Sequence, residues 1–125
     1  MRGRPPTHAA SSAATVRDWA RGLRYDQQAP TGVVAAHDGL AIAAIRALTD
    51  VGLRVPDDLS VIGADDHAAS ADFIPRLTTV AFDADELAAD LVEAYATMRS
   101  GGRVERVDAP PVRVSVREST AAPAV

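Results

Sequence analysis

The 125-residue sequence has no cysteine, which removes a disulfide framework, a thiol nucleophile and a thiolate zinc site together. It has no lysine either: all 13 basic residues are arginine. A P-loop, a Schiff-base enzyme and a pyridoxal-phosphate site each depend on a lysine, so none can be complete here. His8, His37 and His67 form no H-x-x-x-H pair, the spacing that sets two metal ligands on one helical face. There is no G-x-S-x-G elbow for a nucleophilic serine, and no apolar run near the ~18 residues that span a bilayer. Net charge is -4, the opposite of the basic balance usual for a nucleic-acid-binding surface. Arg2 and Arg4 are followed by no apolar stretch, so no secretory signal is expected and a cytoplasmic location is.

What is present reads as one soluble α/β domain, with 47% apolar and 24% charged residues. Residues 1–12 are expected to form a loose tail, 13–120 the folded part and 121–125 a frayed end. Val16, Trp19, Ala20 and Leu23 fall at i, i+3, i+4 and i+7, the stripe of a short amphipathic helix with Trp19 in the core. Residues 32–36 form a wholly apolar run, as in a parallel strand covered on both faces. A helix over 39–51 follows, so rich in Leu40, Ile42, Ala44, Ile45 and Leu48 that it must be buried on more than one side. Gly52 supplies its stop. Residues 59–63 form the next strand, completing a βαβ unit. A polar loop, 67–75, leads to a short third strand at 77–80. Asp83 and Glu86 then have the form of a capping box for a helix over 84–100. Val112, Val114 and Val116 alternate with polar residues, as on a half-exposed edge strand.

In open parallel sheets, ligands bind outside the carboxyl ends of the strands. Two strands end there in acids, Asp38 after the first and Asp65-Asp66 after the second. Clustered carboxylates can accept bonds from several hydroxyls, which suits a sugar or another polyol. The local pattern alone favours Asp38 as an N-cap and Asp66 as an orderer of its own loop, roles that can coexist with ligand binding. Paired acids after a strand also occur in phosphoacceptor receiver domains, but those need the lysine this chain lacks.

The run from Pro30 through Val34, His37 and Asp38 to Leu48 resembles the LacI/GalR family of bacterial transcription regulators. So do Gly52 through Pro56, Leu59 to Gly63 and Asp65-Asp66, then Pro75 to Val80, and Val116 through Thr120, in the same order and spacing. The resemblance covers about 30 to 120. It implies the C-terminal lobe, incomplete, of a periplasmic-binding-protein-like type I domain, non-enzymatic and cofactor-free, with no catalytic residue and no metal. It further implies a small-molecule effector, a sugar or a purine, a homodimer, and operator DNA bound through a helix-turn-helix headpiece that lies outside this chain. By resemblance the effector site takes Asp38 as its main contact, with His37, Asp65 and Phe82. Asp38 is expected to be dispensable for the fold. The dimer face takes Leu40, Ile42, Ile45, Phe73 and Ile74, and helix 84–100 packs on another lobe. Three departures from the family pattern stand out: His37 replaces an Asn, Ala64 an aromatic residue, and Arg76 a Pro. The other readings of the chain are a sugar-binding protein of transport systems, which shares the fold, and a small α/β enzyme built on His37 and Asp38.

Overall fold

A computed structural model of the chain describes residues 13–25 and 29–122. The expected tail at 1–12 lies outside the described residues, as do 123–125 of the expected frayed end. The elements run α1 (Ala13–Leu23), β1 (Gly32–Val34), α2 (Asp38–Asp50), β2 (Ser60–Ala64), α3 (Ala69–Asp72), β3 (Thr78–Phe82), α4 (Ala84–Arg99) and β4 (Val112–Ser115). The four strands form one sheet in the order β1-β2-β3-β4. β1, β2 and β3 are parallel, with Val34 beside Ile62 and Ile62 beside Thr78. β4 returns antiparallel to β3, with Val114 beside Val80. This is the α/β architecture expected from the sequence.

The core forms around α2, which packs on the sheet on one side and on α1 on the other. Ala41, Ala44, Ile45, Ala47 and Leu48 are buried on α2, in one cluster with Val61 of β2, Leu77 just before β3, and Val16 and Ala20 of α1. The alanines matter here. With no side chain beyond Cβ they let the two helices approach closely, and the apolar breadth of α2 is met by α1 on one side and β2 on the other. Trp19 is partly buried against this core. α2 ends in a Schellman motif: the Gly52 N–H donates to the Thr49 carbonyl and Leu53 N–H to the Leu48 carbonyl, both at 2.9 Å, with Gly52 at φ +81. The Arg24 guanidinium adds a donor to the Val51 carbonyl, tying the end of α1 to the end of α2.

Several elements depart from the sequence reading. β1 spans three residues rather than five and, among the described residues, pairs only with β2, so Val34 is exposed rather than covered on both faces. The expected loop 67–75 contains the short helix α3. β3 is as long as β2. On β4 the alternation is inverted: Val112, Val114 and Val116 face outward, while Ser115 and Arg117 face the more buried side, drawn there by hydrogen bonds to Asp66. α4 buries no residue, and Leu91, Val92, Tyr95 and Met98 are exposed on it.

The chain end is not frayed at Ala121. β3 begins too late to pair with the start of β2, and residues 119–121 fill the gap. The Val61 N–H donates to the Ser119 carbonyl and the Ala121 N–H to Ser60 Oγ. Ser119 Oγ accepts from the Thr78 N–H at 2.8 Å and donates to the Val61 carbonyl at 2.7 Å. Ser119 is fully buried, and no buried side-chain nitrogen or oxygen among the described residues lacks a partner.

Gly63 marks the tightest point of this packing. A Cβ there would stand 2.1 Å from Asp38 Oδ1 and 2.9 Å from Leu77 Cδ2. Gly63→Ala is therefore expected to destabilise the fold by about 1–3 kcal/mol or more, read as a lower midpoint in denaturant unfolding. Gly22→Ala is the control, because nothing lies within 4 Å of its Cβ position on the exposed side of α1. It should raise stability by up to about 1 kcal/mol through helix propensity.

Candidate ligand cleft at the strand ends

Asp38 opens α2, and its side chain continues the buried stripe of that helix upward, at the spacing 38, 41, 45, 48. Only 2% of it is exposed. Oδ1 accepts from Thr79 Oγ1 at 2.5 Å; Oδ2 accepts from Ser70 Oγ at 2.6 Å and from the His67 N–H at 2.8 Å. One carboxylate thus joins α2, α3, β3 and the loop after β2. The helix cap is His37 instead. Its backbone is extended and its Nδ1 accepts from the Leu40 N–H at 3.2 Å. The cap reading of Asp38 is corrected accordingly, and so is the expectation that it is dispensable for the fold.

Asp66 is held as well. Arg117 Nη2 donates to its Oδ1 at 2.7 Å and Ser115 Oγ to its Oδ2 at 2.8 Å. The Arg117 guanidinium, then the Ser115 hydroxyl, keep its carboxyl below the usual aspartate range against partial burial. Asp83 caps α4, accepting from the Asp85 and Glu86 N–H groups. That is the half of the expected capping box in which the side chain meets the backbone.

Asp65 is different. It stands exposed at the end of β2, at φ +99, and its carboxylate has no hydrogen-bond partner among the described residues. Beside it opens a cleft of about 440 Å³ lined by Asp65, Asp66, Ala81, Phe82, Asp83, Ala84, Asp85, Arg113 and Ser115. Phe82 is half exposed at the end of β3. Of the expected site residues, the structure brings Asp65 and Phe82 together on this cleft. His37 and Asp38 lie outside its lining. Sequence reading had no signal for Asp85 and Arg113, which reach the cleft only because α4 begins at the end of β3 and β4 returns beside β3. No group of three or more His, Asp or Glu that could hold a metal ion occurs among the described residues.

The expected dimer-face residues divide. Ile45 is in the core, 1% exposed, which corrects its place on an outer face. Its rotation on α2 points it at the sheet. Leu40, Ile42 and Phe73 are partly buried against that core, and Ile74 is 86% exposed. Ile42, Ala43, Phe73 and Ile74, with Ile45 as floor, line a groove of about 700 Å³ beside α2.

Asp38→Ala is expected to lower the unfolding free energy by at least about 2 kcal/mol, since it leaves the buried hydroxyl donors of Ser70 and Thr79 without an acceptor at roughly 1–3 kcal/mol each. Loss of a simple helix cap costs about 1 kcal/mol. Denaturant unfolding at neutral pH separates the two values.

Comparison with known proteins agrees with this architecture. The model of the periplasmic binding protein-like domain matches residues 1–120. The lactose operon repressor of Escherichia coli (strain K12) is 38% identical over 94 residues, covering 75% of this chain and 26% of that protein. The transcriptional regulator DegA of Bacillus subtilis (strain 168) is 40% identical over 101 residues, covering 79% and 30%. The chain thus spans less than a third of either relative. Among solved structures, a LacI family transcriptional regulator from Bifidobacterium animalis subsp. lactis superposes with a TM-score of 0.85 at 25% identity, over 94% of this chain and 44% of that one. The lac repressor dimer bound to operator and the anti-inducer ONPF gives 0.76 at 33%, over 89% and 39%. A parallel sheet with its cleft at the carboxyl ends, matched along its length by these regulators, makes this chain a member of the periplasmic binding protein-like domain family, in its LacI-type branch.

Proposed function

We propose that this chain is the effector-binding and dimerisation part of a LacI-type transcription regulator, a binding function rather than a catalytic one. The cleft at the ends of β2 and β3 takes a small polar molecule, a sugar in the first place, with a purine as the other arm of the test. The observation that carries this reading is Asp65. Its neighbours Asp38, Asp66 and Asp83 are engaged by the protein itself, whereas the Asp65 carboxylate has no partner among the described residues and lines the same cleft as the half-exposed Phe82. A cleft lined by both a carboxylate and an aromatic ring suits a ligand that offers hydroxyl donors together with apolar C–H or ring surface. Asp38 supports this edge from within, and His37 stands at the neighbouring strand end as a helix cap. Operator binding by the whole regulator is assigned to no residue of this chain, whose net charge of -4 offers phosphate no attracting surface. No described helix is long and apolar enough to cross a membrane.

Calorimetric titration with D-glucose, D-galactose, D-ribose, adenine and hypoxanthine tests the cleft. At least one is expected to bind, and Asp65→Asn and Phe82→Ala should each weaken it about tenfold or more, the loss of a charge-assisted bond or of a stacked face. Asn tolerates positive φ, and both side chains are exposed, so the unfolding midpoint should hardly move. Unchanged affinity in both variants would remove the cleft from the proposal.

The groove beside α2 is assigned to a second copy of the chain. Ile74 in water leaves roughly 1.5–3 kcal/mol of burial unrealised, and the lac repressor structure that resembles this chain is that of a dimer. Wild-type chain should sediment as a dimer at micromolar concentration and Ile74→Glu as a monomer of unchanged circular dichroism. Identical sedimentation of the two would exclude this face.

A further inference from the structure

We propose that Arg117 is a positioning residue for the cleft: its guanidinium, by gripping Asp66, holds the Asp65–Asp66 turn in the conformation that aims the Asp65 carboxylate outward. The functional meaning of this inference rests on the cleft being a ligand site.

Asp65 and Asp66 lie at φ +99 and +48, two consecutive non-glycine residues in a region that L-residues avoid. Such a conformation persists only where its surroundings over-determine it. Two contacts come from the adjoining strand: the Asp65 N–H donates to the Val80 carbonyl at 2.8 Å and the Asp66 N–H to Thr79 Oγ1 at 3.3 Å. Both hold the backbone only, and the second is long. The side chain of Asp66 is fixed from the far end of the chain, by Ser115 Oγ and by Arg117 Nη2.

Arg117 is itself anchored. Its Nη1 donates to the Leu77 carbonyl at 2.8 Å and its backbone N–H to Thr78 Oγ1 at 2.9 Å. Its side chain is 20% exposed, so the ion pair is partly shielded from water. One planar fork thus spans the Leu77 carbonyl, just before β3, and the Asp66 carboxylate, which a single ammonium on a flexible stem does not reproduce. The other charged groups around Asp66 are Asp65 and His67 on either side of it, Asp83 and Asp85 at the start of α4, and Arg113 on β4. Among the described residues Arg117 alone forms an ion pair with Asp66.

The test follows Asp65 and Asp66 by nuclear magnetic resonance in the full isotope-labelled chain without ligand, comparing wild type, Arg117→Gln and Arg117→Lys. In Arg117→Gln the Asp65 and Asp66 amide resonances should move, and exchange of the Asp65 amide should quicken about tenfold relative to Ala44 in α2. The Asp66 carboxyl titration should also shift upward, back toward the ordinary aspartate range. Arg117→Lys keeps the charge, so the Asp66 titration should stay nearer wild type while the Asp65 amide is still displaced. If Arg117→Gln does not fold, Arg117→Lys carries the test on the Asp65 amide. The proposal is overturned by an unmoved Asp65 amide in the folded variants, or by a loss of protection shared equally by Val61 and Ala44. A sugar and purine panel that fails to bind would count against the cleft and leave this result standing.

Discussion

The buried carboxylate of Asp38 is the constraint on which the rest of this molecule depends. Among the described residues it meets no cation; three donors from three segments hold it, and the buried hydroxyls of Ser70 and Thr79 would otherwise face the core without an acceptor. An apolar side chain at position 38 could complete the stripe of α2 equally well as packing, but it could not fix where β3 and the 65–70 segment lie relative to that helix. Directional bonds do that. The room for them comes from Gly63, where any Cβ would occupy the place of Asp38 Oδ1. Residues 38, 63, 70 and 79 therefore act as one unit, although the first two look like an ordinary helix start and an ordinary strand glycine.

From that unit a division of labour among the acids follows. Asp38 organises the interior, Asp66 the turn after β2, and Asp83 the start of α4. Asp65 and Asp85 are the acids of the cleft whose carboxylates have no partner among the described residues. The cleft carries Asp65, Asp66, Asp83 and Asp85 against Arg113, with Arg117 balancing Asp66 behind the wall. If the cleft takes a ligand as proposed, a phosphorylated or carboxylated one would meet a surplus of like charge there, so the field disfavours an anion. Such a preference would come from charge placement rather than shape, and the proposed free sugar meets it where a sugar phosphate does not.

Most of the element order was legible in the sequence because each helix and strand carries its own period. The stripe of 16, 19, 20 and 23 is α1, and Gly52 stops α2 where a glycine at positive φ was expected. The misreadings have one physical origin, the reach of contacts across the fold. Asp38 looks like a cap because Asp often caps; only the hydroxyls of Ser70 and Thr79, 32 and 41 residues away, turn it inward and leave the cap to His37. The valines of β4 look like the buried side of an edge strand, yet Asp66 draws Ser115 and Arg117 inward and the valines out. The breadth of the apolar surface on α2 is met in part within the chain, by α1. The cleft was legible only in part. Asp65 and Phe82 sit at strand ends where such a fold binds ligands, while the pairing of β4 with β3 that brings Arg113 there is written in no local pattern.

The last described turn of the chain shows why site and stability are not separable here. Residues 117–121 occupy the notch between the starts of β2 and β3, the end of the sheet opposite the cleft, where Ser119 satisfies both strands. Glu118 closes the same turn on Arg76, at whose contact its carboxyl is held low. Arg117 begins that segment and points the other way along β3, toward Asp66. A displacement of the terminal turn would therefore unseat the pairing of β2 with β3 and the guanidinium behind the cleft in one movement. Asp65 can stand in an unfavourable backbone conformation because the segment that secures it is also the one that closes the sheet.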